Sequence, residues 1–398
     1  MVLANYFGRE NGHTKFMWCA HFIRRTNELK NIYPMIKSSV GVFKEKNTKR
    51  IHFVFYSTSC HKVFEIENEC ILKSILLMDG TKPLLDIFLK INLNFQQFTY
   101  KELEECTELL LKEGIIENTN DPIREQFTTE ELERYSRQVD LWSDYCDLSS
   151  PWELQKNIKE STVAIIGIGG IGSWMATSLV MAGIGNIKLV DYDRVERHNI
   201  TRQLLYTTED IGREKIKVME MKLRSINPNV NIFPALMEID EGTDLSHIVE
   251  SCDLVINCAD NPDINTTAQW VSKVCLKYKV PHIVGGGYIG HLGLIGPTII
   301  PGRTKCWDCY QINYKKRRKE GKLLTNLFPD RKRHTGATAS ISSIVANFQV
   351  WDAIRLLGRI GDPNIINKTG EIDLNNLSIR WNNLSEDDLC EVCSEYYI

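Results

Sequence analysis

The chain carries no surplus of positive charge. Its 398 residues hold 48 Lys and Arg against 51 Asp and Glu, a net charge of −3, whereas a dedicated nucleic-acid binder presents a basic footprint. Nucleic acid is therefore not an expected partner. Internal repeats and low-complexity tracts are also absent, which leaves a globular chain long enough for two or three domains. Long apolar runs are scarce. Only Ile283 to Ile300 (IVGGGYIGHLGLIGPTII) has the length of a membrane span, and its six glycines, His291 and Pro297 predict buried strands instead. The polar opening stretch MVLANYFGRENGHTKF has no secretory pattern, so a cytoplasmic protein with no membrane partner is expected. Of the twelve cysteines, eight precede residue 300 without metal-like spacing and read as small buried side chains of a reducing compartment.

What is present falls into three parts. Residues 1–125 read as a small domain on size alone. IHFVFYS at 51–57 is β-rich, and apolar residues then recur at helical spacing through Ile71, Leu72, Ile75 and Leu76, and again through Leu84, Leu85, Phe88 and Leu89. A third helix is expected from an N-cap at Thr99 with Glu102 as its capping-box partner, Leu103, Cys106 and Leu110 sharing one face. Gly114 ends it, and Ile115-Ile116-Glu117 reads as the strand that follows. Helix, D-G-T turn, helix, helix, strand is the order of a winged helix-turn-helix. Its third helix, KELEECTELLLKEG, is acidic and would repel phosphates. The sharper expectation is a unit whose helix and strand edge grip a peptide. Residues 126–160 read as a connector with a helix over Glu131 to Trp142. From 161 to 398, short β-branched runs alternate with amphipathic helices, which predicts an α/β domain with a doubly wound parallel sheet. The charged stretch KKRRKEG, Lys315 to Gly321, is expected to be a surface loop.

The densest chemistry lies near the start of that last domain. Val163 to Ile166 reads as a buried strand, Gly167-x-Gly169-Gly170-x-Gly172 as a turn, and the residues after it as a helix. Such a turn lets backbone approach phosphate, and the helix amino terminus offers N–H groups to negative charge. A second strand ends in Asp191, placed to take ribose hydroxyls. Asp193, Asn199, Arg202, Gln203 and Lys215 follow closely. A hydride-transfer site gains little from such a group, whereas nucleotidyl transfer needs it, because negative charge builds on the α-phosphate and the departing pyrophosphate. The strand in CDLVINCADN delivers Asp260 to the edge where open α/β sheets place ligands. As a hard oxygen donor it is a candidate Mg²⁺ ligand, although alone it would read as an Asx turn capping the next helix. Cys306-x-x-Cys309 and Cys390-x-x-Cys393 read as a tetrahedral Cys₄ zinc site. His282, His291 and His334 are candidates for acid–base help or plain structural histidines, and Arg331, Lys332 and Arg333 are candidate substrate contacts.

Taken together, RYSRQ (134–138), GIGGIG (167–172), DYD (191–193), NITRQ (199–203), GREK (212–215), ADN (259–261) and the two cysteine pairs resemble the ThiF/MoeB family of ubiquitin-activating-type adenylating enzymes. The resemblance implies ATP and Mg²⁺ as cofactors, the ribose on Asp191, phosphates on the glycine loop, and the triphosphate steadied by Asn199, Arg202, Gln203 and Lys215. It also implies a structural zinc, and a homodimer in which Arg137 reaches the partner's ATP. Two features depart from the commoner family pattern. No cysteine lies between Cys309 and Cys390, which argues against a thioester relay from that loop. The amino-terminal domain resembles the peptide clamp of the branch that processes microcin C and pantocin precursors. That branch implies a small ribosomal precursor peptide as partner, adenylated on a carboxylate during peptide-antibiotic biosynthesis, and then cyclised or left as an AMP conjugate. Activation of a ubiquitin-like sulfur carrier for thiamine or molybdopterin synthesis is the alternative.

Overall fold

The computed structural model describes residues 2–3, 31–57, 59–93, 98–145, 150–318, 336–384 and 390–392, and the chain divides into compact units at Met1–Gln155 and Lys156–Ile398.

In the first unit, β1 (Val2–Leu3), β2 (Pro34–Ile36), β3 (Val40–Lys44), β4 (Arg50–Phe55) and β5 (Cys60–Glu65) precede α1 (Glu69–Leu76), α2 (Leu84–Asn92), α3 (Tyr100–Lys112) and β6 (Ile116–Asn118). Strands β1, β5, β4 and β3 form an antiparallel sheet in that order, and β2 pairs with β6. Phe53 and Phe64 meet edge to face at 5.6 Å and join Ile75, Leu84, Ile87, Leu103 and Leu110 in one core. Helix α3 starts as its sequence dictates: Thr99 and Glu102 form a reciprocal capping box, and Leu103, Cys106 and Leu110 are buried. Next, Gly114 takes φ +69°, the left-handed step that favours glycine after a helix. Helices α4 (Thr129–Trp142) and α5 (Pro151–Glu160) follow, so the connector's helix belongs to the first unit.

The second unit is built on β7 (Thr162–Ile166), α6 (Gly172–Met181), β8 (Asn186–Asp191), α7 (Lys215–Ile226), β9 (Asn231–Leu236), α8 (Ser246–Val249), β10 (Leu254–Asn257), α9 (Ile264–Lys277) and β11 (His282–Val284). The five strands are parallel in the order β9, β8, β7, β10, β11, a doubly wound sheet whose strand order reverses between β7 and β10. Both of those strands are wholly buried from Val163 to Ile166 and from Leu254 to Ile256, hence their continuous apolar runs. The Ile283–Ile300 stretch becomes β11, β12 (Gly287–Ile289), β13 (Leu292–Ile295) and β14 (Thr298–Ile299). Among the described residues, no helix is long and apolar enough to cross a membrane.

After α10 (Trp307–Arg318) and α11 (Ala339–Leu357), β15 (Lys368–Asp373) and β16 (Ser378–Asn383) extend β12 and β13 into a second antiparallel sheet. One expectation is corrected here: Lys315 to Arg318 continue α10 rather than forming a loop. Helix α11 carries two buried polar side chains. Gln349 Nε2 donates to the carbonyls of Val284 (2.8 Å) and Gly296 (3.1 Å), and its Oε1 accepts from Gly286 N at 2.8 Å. Asp352 accepts from Thr298 Oγ1 and from the amides of Asn364 and Ile365. Every polar atom of Gln349 is thus used to hold the chain where it leaves the parallel sheet, as burial requires.

Candidate active site

A cavity of about 840 Å³ opens at the carboxyl ends of β7, β8 and β10, and Gly167, Gly169, Gly170, Asp191, Asp193, Asn199, Arg202, Gln203, Lys215 and Asp260 all line it. Ten of the predicted site residues therefore meet at the point where the sheet order reverses.

The glycines have separate duties. Gly167 adopts φ +88°, and a Cβ there would stand 2.7 Å from Ala259 N. At Gly172 a Cβ would collide with Gly167 O at 1.9 Å, so this glycine serves the turn and lies beneath the cavity. Gly170 faces the Tyr288 hydroxyl, whereas Gly169 meets nothing nearer than Gln203 Nε2 at 3.8 Å. Backbone at Gly169 is therefore open to a ligand, beside the first turn of α6.

Asp191 is buried and clasped by backbone: Oδ2 accepts from Ile168 N and Oδ1 from Asp193 N, both at 2.8 Å. Burial pushes its carboxyl above the ordinary value, against the pull of Lys215 and those two amides. Lys215 is also buried, and its Nζ lies 2.7 Å from Asp193 Oδ2. Arg202 donates from Nε to Tyr288 Oη at 3.1 Å and from Nη1 to His198 O at 2.7 Å. Asn199 Oδ1 accepts from Glu196 N at 2.9 Å, closing the short turn that aims this segment. Gln203 is buried and its Oε1 has no hydrogen-bond partner. A buried acceptor left over in a cavity wall is a place for a ligand donor.

Asp260 is exposed in the cavity. The cap of α9 is supplied instead by Asp263, which accepts from Asn265 N and Thr266 N. Asp260 is thus left with a free carboxylate beside the glycine turn, a donor of the type that Mg²⁺ takes.

The thiols of Cys306, Cys309 and Cys390 lie within 4.8 Å of one another, inside an apolar shell that includes Leu276, Leu384 and Val392. Three converging soft donors suit zinc, and Cys393 lies outside the described residues. Arg331, Lys332, Arg333 and His334 lie outside them too. Arg137 is on α4 in the first unit, with a side chain that is 94% exposed.

The acid–base candidacy of His282 is corrected by its surroundings. Desolvation lowers its pKa to about 4, and its Nε2 is 2.9 Å from Ser272 Oγ between β11 and α9. It is a core histidine. His291 sits in the exposed β12–β13 turn and does not line the cavity. Cys258 does line it, but desolvation raises its thiol to about 12. Sequence reasoning missed Tyr288, whose hydroxyl meets Arg202 across 86 positions. It also missed the aromatic wall of Trp307, Tyr310 and Tyr314, for which no local motif gives a signal.

A doubly wound sheet with a glycine turn, a buried carboxylate at the end of β8, and an arginine and a lysine lining one cavity is the arrangement of a nucleotide-handling enzyme. The ThiF family model matches residues 135–392. The sulfur carrier protein ThiS adenylyltransferase of Escherichia coli is 32% identical over 266 residues, covering 65% of this chain and 94% of that protein. The molybdopterin-synthase adenylyltransferase of E. coli is 27% identical over 276 residues, 68% of this chain and 99% of that one. Among solved structures, E. coli MccB with ATP is similar in fold with a TM-score of 0.66 at 24% identity, over 90% of this chain and 99% of that chain. PaaA gives 0.68 at 22% identity, over 87% and 99%. The chain belongs to the ThiF family and is an ATP-dependent adenylating enzyme.

Proposed function

We propose that this enzyme adenylates a carboxylate of a small ribosomally made precursor peptide in peptide-antibiotic biosynthesis. Coverage is the observation that carries the reading. The sulfur-carrier and molybdopterin-synthase activators match 65% and 68% of the chain, whereas MccB and PaaA are similar in fold over 90% and 87%, which extends well into the first unit. MccB has been solved with ATP and in complex with N-formylated MccA, and the winged order of α1 to β6 suits a peptide clamp.

In this reading, ATP lies along the cavity with its ribose on Asp191 and its phosphates over Gly169, Gly170 and the start of α6. A carboxylate oxygen of the peptide attacks the α-phosphorus, the bond to the β-phosphate oxygen breaks, and pyrophosphate leaves with the electron pair. Arg202 and Lys215, with Asn199 and Gln203, stabilise the charge that builds on the transferring and leaving groups. Arg137 of a second copy completes the site in trans, which makes the enzyme a homodimer. Asp260 would hold Mg²⁺, which would supply neutralisation of phosphate charge. The four cysteines would hold a structural Zn²⁺ with no open position.

The product acyl adenylate carries AMP in place of oxide, a far better leaving group. It then closes onto a nitrogen or carbon of the same peptide, or the peptide ends as an AMP conjugate. Mass spectrometry of candidate precursor peptides after incubation with ATP and Mg²⁺ tests this. A gain of AMP or a loss of water is expected, with pyrophosphate released. The 32% identity to the ThiS activator favours a second reading, activation of a ubiquitin-like carrier ending in Gly-Gly. Pyrophosphate release with such a carrier, and with no peptide, would establish it.

A further inference from the structure

Among the described residues of the first unit, one buried charged group is a lysine that the chemistry above does not use. Lys37 stands in the short segment between β2 and β3 with 8% of its surface exposed. A desolvated ammonium persists only where acceptors surround it. Its Nζ donates to the carbonyl of Ser143 at 2.6 Å, across 106 positions of sequence.

Ser143 is the C-cap of α4, and the last turn of α4 has no basic residue of its own. The final carbonyls of a helix lack intrahelical partners and carry the negative end of its dipole. Lys37 therefore supplies from a distant segment the charge that the helix lacks. Its own backbone is fixed, since Lys37 N donates to Ile115 O and Lys37 O accepts from Val40 N, both at 3.0 Å. These bonds place it where the strand after α3 meets the β3–β4 hairpin.

Helix α4 is gripped on a second side. Gln138 Nε2 and Trp142 Nε1 both donate to the buried Gln155 Oε1, at 2.5 and 3.0 Å. Arg137 stands one residue before the first of these anchors and pairs with Asp140 of the same helix at 3.8 Å. Its direction is set by the helix rather than by a socket.

We propose that Lys37 is a positioning residue, fixing the Arg137-bearing helix to the peptide-clamp fold so that clamp and arginine keep one geometry. Its catalytic consequence rests on the role given to Arg137 above, whereas its structural consequence does not. The test compares full-length Lys37→Met, Lys37→Arg and Arg137→Ala. Hydrogen exchange is followed on α3 and α4, and steady-state pyrophosphate release is measured with ATP, Mg²⁺ and the precursor peptide. In Lys37→Met, amides of the last turn of α4 should exchange about tenfold faster while those of α3 are unchanged, because one buried carbonyl has lost its donor. The kcat should fall about tenfold with the KM for ATP nearly unchanged, as for loss of a group that acts in the transition state. Lys37→Arg keeps a charged donor and should restore both. Unchanged exchange in α4 of Lys37→Met, or an exchange defect that Lys37→Arg does not repair, overturns the proposal. If Arg137→Ala keeps full activity, the role of Arg137 has failed, and the exchange pattern alone decides that of Lys37.

Discussion

Lys215 and Asp193 hold each other twice: the ammonium lies 2.7 Å from the carboxylate, and Lys215 N donates to Asp193 O at 2.9 Å. The backbone bond starts α7 at the cavity wall, so the ammonium stays there whichever anion it serves. Lys215→Met should fold normally and lower kcat by about 10²- to 10³-fold, the usual loss when a preorganised cation is withdrawn from a transition state. Pyrophosphate release against a thermal melt checks this. A fall in melting temperature matching the fall in rate would reduce Lys215 to a structural ion pair.

Two glycines three residues apart should fail differently. Gly172→Ala drives a methyl group into Gly167 O, 1.9 Å away, and should leave little folded protein. Gly169→Ala has room, with Gln203 Nε2 at 3.8 Å its nearest neighbour, and should melt like the parent while its KM for ATP rises about tenfold or more, since in the proposed site the added methyl stands where phosphate must come close. Equal ATP affinity in Gly169→Ala would remove the phosphates from this turn.

These two residues also mark what sequence can convey. The glycine turn, Asp191 and the α3 capping box are local patterns whose physics is complete within a few residues, and each stands where its pattern puts it. Long-range pairings left no such trace. Strand β13 pairs with β12 in a local hairpin on one side, but its other neighbour is β15, about eighty residues on, with β16 beyond it. Helix α11 is buried from Ile341 to Leu357 on several sides, so it lacks the polar face that makes a helix legible. Its Gln349 and Asp352 read as surface residues until their carbonyl and amide partners are known. The charges of KKRRKEG suggested a loop, yet lysine and arginine are good helix formers, and α10 runs through four of those residues.

Acid should act on the second unit through His282. Its folded pKa is lowered from 6.5 to about 4 by burial. Above the unfolded value both states are neutral and no penalty exists. As pH falls through that window, the unfolded chain binds a proton that the folded chain refuses, so stability is lost, by on the order of 3 kcal/mol in total. Urea midpoints across the window should slope accordingly, and His282→Gln should flatten the slope.

Metal content gives a separate check on the carboxyl-terminal cysteines. Purified enzyme should carry about one zinc per chain, held by thiolates alone. Cys306→Ser should lower both zinc content and melting temperature, while the ATP KM of the protein that remains folded stays near the parent value. Full zinc occupancy in that variant would place the metal elsewhere.

Cys258 has a further consequence for the fate of the activated acyl group. It is the only cysteine among the described residues that line the cavity, and with its thiol raised to about 12 it offers almost no thiolate at neutral pH. Among the described lining residues, no thiolate is thus poised to take an acyl group from an adenylate as a thioester. In the proposed reaction the lifetime of the adenylate becomes a race between water and whichever nucleophile shares the chamber, and a nucleophile carried on the same peptide would enter that race at an effective concentration no free acceptor can match.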